Sequence, residues 1–132
     1  MYGDSDYLTA TTGDIVVSAY PELIDSDNDE HMLWGYCMRI ENNSNQPITL
    51  VKKELCMTDE NGKSFYDSSI GFNGEIPDLQ PGEYFEYEET AQTEGLATVI
   101  YGFCSAVALD GTQFKINFPV IDLNKRQHIS IN

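Results

Sequence analysis

Between Leu33 and Glu41 the chain alternates without a break. Trp34, Tyr36, Met38 and Ile40 interleave with Gly35, Cys37, Arg39 and Glu41. A period of two puts the large apolar set on one face of an extended strand and the remainder on the other. The pattern returns after Pro81-Gly82, where Phe85 and Tyr87 oppose Tyr84, Glu86 and Glu88. No stretch of helix length carries a 3.6-residue period, so the chain must bury strands against strands.

The punctuation agrees. Pro81-Gly82 fits the centre of a type II turn, with proline presetting φ and glycine accepting a positive φ. Asn61-Gly62 and Asp110-Gly111 are hairpin signals. Between such marks the predicted strands are 14–20, ended by Pro21, then 33–41, 48–58 and 63–67, the aromatic strand after Gly82, then 97–109 and 112–121. In 48–58, Ile48, Leu50 and Cys56 oppose Thr49, Val51, Leu55 and Met57, so both faces are partly apolar. About seven short strands with turns every 8–12 residues predict an all-β, immunoglobulin or fibronectin type III-like antiparallel sandwich. Residues 1–13 read as a flexible N-terminal arm, 14–123 as the sandwich domain and 124–132 as a tail.

At 132 residues the length fits one domain. The 22 acidic and seven basic residues give a formal charge of −15. That charge disfavours nucleic acid and anionic membrane surfaces, both of which are bound through Lys and Arg. A basic partner, or solubility alone, accounts for it better. Cys37, Cys56 and Cys104 are odd in number, lie in apolar runs and form no CxxC pair. Zinc and dithiol redox chemistry are therefore unsupported, and a reducing, cytoplasmic setting is expected. The opening MYGDSDYL carries no signal-peptide pattern, and no run approaches the ~20 apolar residues of a membrane span.

Three stretches carry candidate chemistry. Ser69, Gly71, Asn73 and Gly74 form a glycine-rich loop that would offer backbone N–H groups to an anion. No helix pattern follows it, and Glu75 and Asp78 would repel the charge. Asp25, Asp27 and Asp29 imitate the start of a calcium loop, but Glu30 and Tyr36 stand where such a loop needs glycine and glutamate. Tyr66 and Tyr84 are the aromatic residues expected on outward faces, where they would anchor a protein partner. Trp34, Tyr36, Phe85, Tyr87, Phe114 and Phe118 are assigned to the core. His31 and His128 sit in a polar loop and the tail, apart from any nucleophile, so no catalytic constellation is assembled.

The blocks WGYCMRIENNSNQPITL, TDENGK, GEIPDLQPGEYFEY and DGTQFKINFPVIDL, in that order, resemble an ApaG domain (DUF525) over Ile15 to Leu123. The most specific part is Pro77-x-Leu79-x-Pro81-Gly82-Glu83-x-Phe85-x-Tyr87. The resemblance implies a fibronectin type III-like sandwich, no enzymatic activity and no cofactor. It also implies a protein-interaction module, since such domains occur in F-box proteins and a polymerase-delta-interacting protein. Bacterial members are associated with cobalt and magnesium tolerance, which implies a divalent-cation link as one alternative. A GxGxxG segment proposed to hold pyrophosphate or a nucleotide implies the other. Here that segment reads Ser69-Ile70-Gly71-Phe72-Asn73-Gly74, preceded by Ser68 where the family often has arginine. Lys53-Glu54-Leu55 stands where Arg-His-Trp is typical. The chain therefore reads as a divergent member that binds another protein through a sheet face or edge strand, with homo-oligomerisation by edge pairing as one form of this.

Overall fold

The computed structural model describes residues 8–27, 31–95 and 97–124. They form ten strand segments: β1 (Leu8–Thr12), β2 (Ile15–Asp27), β3 (His31–Asn42), β4 (Ile48–Asp59), β5 (Ser64–Ile70), β6 (Asp78–Leu79), β7 (Tyr84–Glu94), β8 (Ala97–Ala108), β9 (Gln113–Asn117) and β10 (Ile121–Asn124). One sheet runs β1-β2-β3-β7. The other runs β10-β8-β4-β5, with β6 on β4 and β9 on β8. Every pairing is antiparallel. The expected all-β sandwich is the observed fold.

The core lies between the inner faces. Trp34, Tyr36, Met38 and Ile40 are buried, as their alternation requires, opposite Leu50, Leu55, Ile100 and Cys104 of the second sheet. The indole N–H of Trp34 donates to Thr93 Oγ1 at 3.2 Å, so its polar atom is satisfied in the core. Asn42, in the gap between the predicted strands 33–41 and 48–58, is fully buried. Its amide donates to the carbonyls of Gln46 (2.8 Å) and Leu79 (3.0 Å), and its oxygen accepts from Ser44. It thereby fixes the crossover between the sheets.

Several features differ from expectation. Leu8–Thr12, inside the stretch expected as a flexible arm, is a strand paired to β2; its Thr-rich, weakly apolar run gave no face to recognise. Pro21 does not end β2. Asn43 N–H donates to Asp14 O, so the even-numbered residues of β2 bond β3, and the N–H that Pro21 lacks is not one that this pairing uses. The predicted strand 112–121 is two strands lying end to end along β8, interrupted at Phe118–Val120 because Pro119 cannot donate to the ladder. Finally, β4 carries a bulge at Val51. Ile48 and Leu50 point inward before it, and Lys53 and Leu55 after it, which explains the two half-apolar faces.

The turns form as read. Gly82 has φ 87°, and Glu83 N–H reaches Gln80 O at 3.0 Å. Gly62 and Gly111 hold φ of 84° and 90° in the two hairpins.

Further polar contacts stitch the long sides of the sandwich. Asn117 N–H donates to Thr12 Oγ1 at 3.0 Å, joining β9 to β1. On the other side, Lys53 of β4 meets Glu89 of β7 at 2.5 Å.

Candidate functional site

The glycine loop is a two-residue hairpin between β5 and β6. Asn73 and Gly74 both have positive φ, 53° and 87°, the geometry of a type I′ turn. Phe72 N–H donates to Glu75 O, Glu75 N–H to Phe72 O, and Gly71 N–H to Val51 O. Three of the loop's donors are thus used inside the fold. Gly71 is needed because a Cβ there would lie 2.2 Å from the Glu75 carbonyl. The turn drives Phe72 into the core, 4.9 Å from the Tyr87 ring and 5.4 Å from the Phe85 ring. Asn73 rims an open groove of about 640 Å³ with Glu22, Glu88 and Glu89. The loop therefore faces carboxylates, an environment that repels anions.

Asp25 and Asp27 lie on strand β2 instead of in a loop, opposite Leu33 and His31. Asp29 lies outside the described residues. Asp25 accepts the Ser26 N–H at 2.8 Å and lines a 340 Å³ depression with His31 and Glu94. Among the described residues, no three acidic, His or Cys side chains gather into a metal-binding group.

Tyr66 and Tyr84 are both exposed, 67% and 50%, but on different sheets. Tyr84 is covered by the Arg39 guanidinium, 3.7 Å above its ring, and Arg39 in turn pairs with Glu41 at 2.8 Å. Tyr66 is the freer of the two. Its hydroxyl donates to the Glu54 carboxylate, which raises the phenol above its ordinary 10. Sequence reasoning missed its neighbour Tyr101, 46% exposed, because β8 reads as one long apolar run. Tyr66, Cys56 and Tyr101 stand in one row across β5, β4 and β8. Beside them Leu55, Phe103 and Phe118 line a depression of about 380 Å³.

Two of the three thiols are poor nucleophiles. Burial pushes Cys104 up to about 12. Burial, with Glu86 and Glu88 nearby, also raises Cys37. All three cysteines are free. Among the described residues, no helix is long and apolar enough to cross a membrane.

A family model described as the ApaG domain matches residues 15–107. The chain belongs to the ApaG domain family. ApaG proteins of Sinorhizobium fredii and Shewanella pealeana are each 32% identical to it. The first aligns over 118 residues, 87% of this chain and 91% of the relative; the second over 108 residues, 82% and 86%. The crystal structure of a structural-genomics target matches with a TM-score of 0.82 at 24% identity, covering 93% of this chain and 95% of the other. A Bordetella pertussis protein named ApaA gives 0.80 at 24% identity, covering 84% and 93%. These two structures share the fold.

Within this ApaG domain, the most distinctive buried charge is Lys53. It is 3% exposed, and its ammonium lies 5.1 Å from the Tyr87 ring centroid and 5.6 Å from that of Phe72. Glu89 is its carboxylate partner. The ion pair joins two sheets and is committed to that role, leaving the glycine loop without a free cation from this residue.

Proposed function

We propose that this ApaG domain is a non-catalytic protein-binding module. Its binding surface is the outer face of β5, β4 and β8 around Tyr66 and Tyr101. One observation carries the reading: two exposed tyrosines, on the strands either side of β4, flank its half-buried Cys56 over a shallow apolar depression. Exposed aromatic rings of low side-chain entropy are the anchors that protein interfaces favour. The raised thiols of Cys37 and Cys104, and the lack of a gathered acid–base set among the described residues, support the non-catalytic half. Three free cysteines support a cytoplasmic setting.

Capture from cell extract tests the reading. Wild-type protein retains a partner, and Tyr66→Ala with Tyr101→Ala loses it while the melting temperature holds. Equal capture by both proteins would overturn the surface. Thermal melts with pyrophosphate, ATP, Mg²⁺, Co²⁺ and Ca²⁺ test the alternatives. A ligand at 100 times its Kd stabilises by about 2.7 kcal/mol, several degrees for a domain this size. A shift of that size with pyrophosphate or ATP would favour the glycine loop. A shift with a cation would favour the acidic hairpin.

A further inference from the structure

We propose that the outer edge of β5 receives an extended segment of a different protein as an added strand, and that this segment carries a Lys or Arg opposite Asp67. The inference rests on the protein-binding reading and specifies the partner's backbone and charge.

β5 pairs only with β4 among the described strands. Two backbone bonds set which of its groups face outward. Asp59 N–H donates to Lys63 O at one end, and Gly71 N–H to Val51 O at the other. Antiparallel pairing alternates, so the odd-numbered residues between these bonds direct their N–H and C=O groups at β4. Ser64, Tyr66, Ser68 and Ile70 therefore direct theirs away from it. Four residues with both donor and acceptor aimed off a sheet edge ask for another strand, because only extended backbone supplies matching groups at that spacing.

The side chains read the same way. Tyr66 and Ile70, 67% and 73% exposed, lie on the outer face. Phe65 (58% exposed) and Asp67 lie on the opposite face, across from Met57 and Leu55. An added strand would thus gain apolar neighbours on both of its faces. Asp67 is exposed and is the one charge on this strand. Its own backbone groups face β4, so an incoming residue opposite it sits in the non-hydrogen-bonded position, about 4.5 Å away between Cα atoms, where side chains pair closely.

Charge decides between a second copy and another protein. Two copies of β5 paired antiparallel at full overlap place Asp67 against Asp67, and each copy carries a formal charge of −15. Like charges directly opposite disfavour that pairing. A basic segment reverses the sign.

The probe is a seven-residue peptide of alternating Thr and Val with Lys at its centre, beside a counterpart with Glu there, read by fluorescence anisotropy in low salt. Wild-type protein binds the Lys peptide about threefold more tightly than the Glu peptide. Asp67→Lys reverses that order. Ser68→Pro removes one outward N–H, leaves the β4 bonds intact and abolishes binding of both peptides. Failure of wild type to bind the Lys peptide, equal binding of the two peptides, or binding that survives Ser68→Pro would overturn the proposal. A dimer in sedimentation that Ser68→Pro disperses would put a second copy on the edge and overturn it too. Extract capture that needs Tyr66 and Tyr101 but ignores Ser68→Pro would keep the sheet face as the interface and remove the added strand.

Discussion

Lys53 Nζ lies 2.5 Å from Glu89 Oε1 across the space between the two sheets, with only 4% of the lysine side chain exposed. The bulge at Val51 makes this contact, because it turns Lys53 from the solvent face to the core face. A buried ammonium is tolerable only while its carboxylate stays. Glu89→Gln therefore lowers stability by about 3 kcal/mol, the low end for a broken buried pair because Glu89 is itself 24% exposed. Lys53→Met with Glu89→Leu restores most of that loss. Urea titrations of the double-mutant cycle measure it; strictly additive losses would mean the pair is not coupled.

Gly71 and Gly74 both have positive φ, yet their surroundings differ. A Cβ at Gly71 meets the Glu75 carbonyl at 2.2 Å, while one at Gly74 meets nothing within 4 Å. Gly74→Ala carries only the left-handed backbone strain, about 1 kcal/mol. Gly71→Ala adds a clash with backbone and exceeds about 2 kcal/mol. Thermal melts compare the two, and equal losses would show that the backbone at Glu75 yields freely.

Alkali weakens the fold through Cys104. Burial raises this thiol from 9.0 to about 12. Between those values the unfolded chain has released the proton and the folded chain still holds it. Stability is therefore intact below pH 9 and falls as pH rises, by up to about 1.4 kcal/mol per unit from this group. Tyr36 and Tyr87, also raised mainly by burial, add to the decline above pH 10. In urea melts at stepped pH, Cys104→Ala is expected to show a shallower slope between pH 9 and 10. An unchanged slope would remove Cys104 as the cause.

Alternation made much of this fold legible. Trp34, Tyr36, Met38 and Ile40 announced a core face, and Phe85 and Tyr87 a second. Gly82 announced the turn between β6 and β7. What stayed hidden was whatever broke the period or lacked it. One extra residue at Val51 inverted the face of β4, so the sequence showed two half-apolar faces and not the inward turn of Lys53. The Thr-rich β1 had no face to show, and Pro21 looked like a stop because only the register with β3 shows that its missing N–H is not needed there. The burial of Asn42 was hidden because one of its carbonyl partners, Leu79, reaches it only through the crossover. For the site, Tyr66 was readable as exposed, while Tyr101 needed the strand order to bring it into the same row.

Residue-resolved amide hydrogen exchange on the free protein tests the open edge of β5 most directly. Ser64, Tyr66, Ser68 and Ile70 are expected to exchange fast, while Phe65, Asp67 and Ser69, bonded to β4, exchange slowly. Uniform protection along β5 would mean that the edge is already covered, and would contradict a docking strand there.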